Sequence, residues 1–142
     1  MSAFSSWQTW AVLSAIFAAL TAIFAKVGVE NISSDLATFI RTIVVIVTLG
    51  FLLAVTGQFQ APGTISGRTY LFLLLSGLGT GASWLCYFRA LKIGEAAKVA
   101  PIDKLSVVLV AVFGVIFLGE RLSAPNWLGI ALIAAGAILV AF

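Results

Sequence analysis

Chemistry-bearing residues are most concentrated at Ala100-Pro101-Ile102-Asp103-Lys104, where a carboxylate, an ammonium group and a proline interrupt apolar sequence. Pro101 has no N–H to offer the Ala97 carbonyl, and its ring crowds that carbonyl, so a helix through this segment is expected to kink. On an unbroken helix Asp103 and Lys104 lie about 100° apart. They are therefore expected not to pair with each other, and each needs a partner elsewhere. Two readings apply. Asp103 and Lys104 line a polar cavity and contact a small solute or a coupling ion. Alternatively, Lys104 snorkels to an interface and Asp103 forms a structural pair with another helix.

Arg41 is the second candidate. On a helical wheel Asp35, Thr38, Arg41, Thr42 and Thr48 share an arc of roughly 140° on an otherwise apolar helix. Either Arg41 meets an anionic group (of a solute, or of Asp103), or it snorkels and the threonines simply bond backbone carbonyls. Ser76, Gly79, Thr80, Ser83 and Tyr87 form a further stripe, flanked by Trp84, with Gly77 and Gly81 permitting close backbone approach. Those hydroxyls and rings either line a path or hold helices together. Arg89 falls on the opposite face and reads as an interface anchor. Ser14 shares a face with Trp10, Phe17 and Thr21 in the first apolar stretch. Gly129, Ala131, Ala135 and Gly136 read as packing or self-association positions. Glu120-Arg121 reads as an interfacial pair of little energetic consequence.

The elements that must position these groups are membrane helices. Residues 7–25, 42–67, 69–88, 105–119 and 122–142 contain no Lys, Arg, Asp or Glu. A spanning helix needs about 20 apolar residues, and the fourth stretch reaches that length by including Asp103 and Lys104. The chain is 62% hydrophobic and 9% charged, against about 25% charged in soluble domains. Backbone polar groups in lipid must be satisfied internally, and the length of these runs favours helices over barrel strands. The pattern predicts an all-α integral membrane fold in one domain, residues 1–142, with helices at about 7–27, 35–56, 68–93, 95–118 and 124–142. Ser33 or Ser34 caps the second helix, Gly94 stops the third, and Pro125 opens the fifth. Met1–Ser6 has no basic n-region, so the first stretch reads as a retained helix.

Several function classes are excluded. The eight Lys/Arg are scattered, which argues against nucleic acid. There is no His, Cys86 stands alone, and neither G-x-S-x-G nor a P-loop occurs, so no enzyme, cofactor or metal centre is expected. Gly77-Leu78-Gly79-Thr80-Gly81 lies inside a spanning helix and does not cradle phosphate. Orientation is weakly specified. Lys26, Arg41, Arg89, Lys92, Lys98 and Lys104 fall on one side, and Arg68 and Arg121 on the other. The positive-inside rule then gives N-out, C-in. Arg41, Arg89 and Lys104 lie partway into helices, and without them the score is three against two. Insertion both ways round is compatible with that bias.

Tyr87-Phe88-Arg89-Ala90-Leu91-Lys92, then Ala100-Pro101, then Gly119-Glu120-Arg121-Leu122 ahead of Trp127-Leu128-Gly129 and an Ala/Gly-rich last helix, follow an order that resembles the EamA domain of the drug/metabolite transporter superfamily. The resemblance covers essentially the whole chain. It implies a multi-pass permease of the bacterial inner membrane for small metabolites or drugs, built as half of an inverted-repeat, ten-helix transporter. The missing half would be a second copy, in an antiparallel homodimer working by alternating access. Small multidrug resistance proteins, with four helices, couple protons through a first-helix glutamate. Ser14 is nearest to that depth here, so that mechanism does not carry over. Asp103 and Lys104 also depart from many EamA domains. Arg41, Asp103 and Lys104 are expected to contact substrate, Tyr87 and Trp84 to shape the cavity, and Thr38, Thr80, Ser83 and Ser14 to contribute polar contacts. Cations outnumber acids among them, which favours an anionic or zwitterionic solute. A flippase subunit for a lipid-linked substrate and a non-transporting scaffold subunit are the alternatives.

Overall fold

Every regular element in the computed structural model, which describes residues 6–142, is helical. They are α1 (Trp7–Gly28), α2 (Ser34–Thr56), α3 (Gly67–Ile93), α4 (Ala96–Asp103), α5 (Ser106–Leu118) and α6 (Ala124–Ala141), with a 3₁₀ turn at Pro62–Thr64. Among the described residues, five spans are long and apolar enough to cross a membrane, α4 and α5 together making one of them, Ala96–Leu118. The protein is therefore an all-α, multi-pass membrane protein. Large apolar side chains such as Phe51, Phe117 and Leu139 are exposed along these spans, as lipid-facing side chains are. The reading of Met1–Ser6 falls almost wholly outside the described residues.

Local sequence explains most of the helix ends. The Ser33 hydroxyl accepts from the Leu36 N–H at 3.2 Å and starts α2. Gly57 ends α2 at φ 64°, and Gly119 ends α5 at φ 70°. Both need left-handed backbone, which glycine adopts without a Cβ penalty. Pro125 sits in the first turn of α6, where a missing N–H costs nothing.

The fourth expected helix is not continuous. Lys104 and Leu105 form a turn between α4 and α5. Backbone bonding there tightens to three residues back: Leu105 N–H to Ile102 O (3.0 Å), Val107 to Lys104 (3.0 Å) and Val108 to Leu105 (3.0 Å). Pro101 lies within α4 and supplies no N–H to Ala97, so the helix is already short of a bond before the break.

Two compact units are distinguished. One comprises the described residues up to Ile23 together with Ile93–Phe142, the other Phe24–Lys92. Within the first, α6 packs mainly along α4 and less along α5. Glu120 folds back over the buried Gly114, donating its N–H to the Gly114 carbonyl at 3.1 Å. Its carboxylate fills the space a Cβ would need there, so the neighbour of Glu120 is Gly114 rather than the expected Arg121. Within the second unit, Val29, Ala37, Thr38, Phe88 and Leu91 are buried. Lys26 donates to the Leu91 carbonyl at 2.7 Å and Lys92 to the Ile32 carbonyl. These bonds tie the end of α1, the start of α2 and the end of α3 together.

Candidate functional site

In the Phe24–Lys92 unit, the start of α2 and the end of α3 approach each other through side chains. Near the start of α2 the less exposed positions include Ala37, Thr38, Arg41, Thr42 and Val45, spaced three and four apart. Near the end of α3 they include Trp84, Tyr87, Phe88 and Leu91. This spacing is that of a single helical face. Two contacts pin the pair. Arg89 forks onto Asp35, Nε to Oδ1 at 3.1 Å and Nη2 to Oδ2 at 2.9 Å. Further along, the Arg41 guanidinium carbon sits 3.8 Å from the Trp84 ring centroid and 5.6 Å from that of Phe88. Asp35 precedes Arg41 on α2 while Arg89 follows Trp84 on α3, so the two helices run antiparallel.

Arg41 is thus held by aromatic faces. It forms none of the three ion pairs among the described residues, which are Asp35–Arg89, Glu95–Lys98 and Asp103–Lys104. The threonine hydroxyls are satisfied within their own helix: Thr38 bonds the Ser34 carbonyl (2.9 Å), Thr42 that of Thr38 (2.8 Å) and Thr48 that of Val44 (2.8 Å). Thr80 does the same to Ser76 at 2.9 Å. Their donors are spent and their lone pairs remain as acceptors. Thr38 is buried, whereas Thr48, Thr80 and Ser83 are exposed.

Asp103 and Lys104 correct the sequence expectation. Lys104 Nζ donates to Asp103 Oδ2 at 3.0 Å, so the adjacent residues pair with each other. The expectation assumed an unbroken helix. Lys104 instead caps α4 beyond its last helical residue, and its long stem curls back onto Asp103. Ser14 lies exposed on α1. The candidates therefore fall into two groups: Arg41, Trp84, Tyr87 and Thr38 on the α2–α3 face, with Thr80 and Ser83 further along α3, and Asp103 with Lys104 at the α4–α5 break.

Two residues outside the expected set share the α2–α3 geometry. Phe88, four residues after Trp84, supplies the second ring near Arg41, a spacing readable from the sequence. Arg89, expected to be an anchor, holds α3 to α2 through Asp35. The signal for that pair was an acid in the first turn of α2 and a base in the last turns of the next helix.

Five spanning helices among the described residues, the fourth broken beyond a proline, define a multi-pass membrane protein. The comparisons agree. The EamA-like transporter family is matched over residues 5–142, and the chain belongs to that family. It is 67% identical over 136 residues to the uncharacterized transporter in cobO 3'region of Sinorhizobium sp, covering 96% of each chain. It is 30% identical over 132 residues to the uncharacterized transporter YxxF of Bacillus subtilis (strain 168), covering 92% of this chain and 40% of that one. No solved structure matches.

Proposed function

We propose that this chain is a secondary transporter for a small anionic or zwitterionic metabolite, acting in the bacterial inner membrane as an antiparallel homodimer by alternating access. Residues 1–142 are taken as one EamA-like unit. The observation that carries the reading is Arg41, a guanidinium seven residues into a membrane span, stacked on Trp84 and joined to no carboxylate. A charge at such depth is costly, about 2.5–3.5 kcal/mol at helix centre on insertion scales, and such charges mark solute or ion paths.

The break between α4 and α5 supports alternating access. Mid-span winding of this tighter kind commonly marks a hinge, and irregular backbone at membrane depth is tolerated where it faces protein or water. The paired Asp103 and Lys104 stand at that hinge and form the second polar contact. A homodimer is supported by size: the B. subtilis relative offers more than twice the chain over which this protein matches it. Five spans in a second copy would supply the other half of an inverted pair, and the weak charge bias allows both orientations.

Uptake of a panel of labelled small metabolites into proteoliposomes tests the reading. Accumulation of at least one anionic or zwitterionic solute is expected, with loss of uptake in Arg41→Ala and in Lys104→Ala variants that remain monodisperse. Undiminished uptake in both variants overturns the site. Exclusive transport of lipophilic cations overturns the substrate class. The sole cysteine, exposed Cys86, permits crosslinking from single-Cys variants, and a strictly single orientation of the inserted chain overturns the antiparallel dimer.

A further inference from the structure

We infer that the Arg41 guanidinium, seated over Trp84, is a binding site for a planar carboxylate, taken in two parallel hydrogen bonds. The inference deepens the transport reading by naming the group recognised, and the binding part stands or falls separately from transport.

Arg41 Cζ lies 3.8 Å from the centre of the Trp84 ring. The guanidinium carbon is thus seated over the indole at van der Waals contact, and the N–H donors not turned to the ring are open to a ligand. Arginine's fixed fork is matched by a carboxylate, which accepts two parallel N–H bonds in the same plane.

The absence of a resident acid follows from the neighbouring contacts. Asp35 lies six residues before Arg41 on α2, about 9 Å along the axis. Both of its oxygens are taken by Arg89 at 3.1 and 2.9 Å. Thr38 and Thr42, the hydroxyls nearest along the helix, donate to carbonyls of α2 itself. Within this unit no carboxylate pairs with Arg41, Tyr87 is the titratable side chain that bears on it, and its fork is open to a ligand. Trp84 and Phe88 fix the position of the group, and their buried or half-buried setting lowers its hydration. Both conditions strengthen a charge-assisted bond.

A series sharing one body and differing in head group separates the alternatives: benzoate, phenyl phosphate and phenyltrimethylammonium. Binding is read from the fluorescence of Trp84 in the protein in nanodiscs, with Trp7, Trp10 and Trp127 replaced by Phe. Benzoate is expected to change the Trp84 signal saturably, and Arg41→Lys, which keeps the charge and loses the fork, to weaken it about tenfold or more. Phenyl phosphate is expected to bind less tightly than benzoate, and phenyltrimethylammonium not at all. Equal benzoate affinity in Arg41→Lys overturns the fork, and preferential binding of the ammonium or the phosphate overturns the carboxylate. Silence of all three also overturns it, provided that Trp84 is quenched by a membrane-soluble quencher. Benzoate binding that depends on Arg41, with no carboxylate taken up by proteoliposomes, leaves the site standing and removes transport. Uptake that is indifferent to Arg41→Lys does the reverse.

Discussion

Replacing Pro101 by Ala should heal the break between α4 and α5, and the structure bounds the effect. The new residue at 101 regains the N–H that the Ala97 carbonyl lacks, and the ring crowding disappears. The hydrogen bond contributes about 1 kcal/mol, and proline in a helix interior costs about 3 kcal/mol relative to alanine. Against this stands rewinding of residues 104–108 from three-back to four-back bonding, which conserves the number of bonds. The Asp103–Lys104 contact, 3.0 Å long and largely exposed, is also lost when the two residues return to about 100° apart; such a pair contributes about 0–1 kcal/mol. The net is a stabilisation of about 1–3 kcal/mol, or a rise in Tm of roughly 3–10 °C for a chain of this size. The assay pairs thermal unfolding in detergent with uptake in proteoliposomes. Tm is expected to rise while uptake falls, because the hinge stiffens. An unchanged or lower Tm with full uptake would refute the assignment of the break to Pro101 and of the hinge to the break.

Other perturbations have smaller expected effects. Gly57→Ala and Gly119→Ala place a Cβ at φ 64° and 70°, and each should destabilise by about 1–2 kcal/mol in thermal melts, whereas Gly67→Ala, at ordinary φ with open space around it, should not. In a double-mutant cycle with Asp35→Asn and Arg89→Gln, the coupling energy should be about 0.2–1 kcal/mol, since both side chains are more than half exposed; zero coupling would show that the fork does not hold α2 to α3.

The spans were legible because their signal is redundant. Helix boundaries lay within a residue or two of those expected, set by Ser33, Gly57 and Pro125, whose backbone preferences act locally. The fourth span shows where that legibility ended. Pro101 announced a kink, but the tightened winding two residues later depends on how Lys104 and Leu105 settle, and a wheel drawn on an unbroken helix set Asp103 and Lys104 apart. The pairing of Arg89 with Asp35 went unread for a different reason. A wheel compares residues within one helix, and Arg89 belongs with Asp35 on another, 54 positions away. The polar stripe on α2 was visible as a stripe. Its division into threonines satisfied by their own helix and an arginine seated over rings of the next helix is a tertiary property, outside the reach of a single wheel.

That division bears on what kind of ligand the chain can take. Counted at membrane depth, Asp103 and Lys104 cancel, and Asp35 cancels Arg89 near the ends of their helices. Lys26, Arg68 and Lys92 lie in the end turns of their spans, and Arg41 stands deeper in its span with no carboxylate partner. The contact with Trp84 offsets part of the cost of that charge, up to about 2 kcal/mol for a desolvated cation–π contact, and leaves at least roughly 0.5–1.5 kcal/mol of the insertion cost unmet. A bound monoanion would remove the remainder, and a cation would double the charge it has to offset. Selectivity of this kind needs no acid in the first helix. An uncompensated guanidinium in the membrane favours anions by the same desolvation argument that lets a membrane-embedded glutamate favour cations, with the sign reversed.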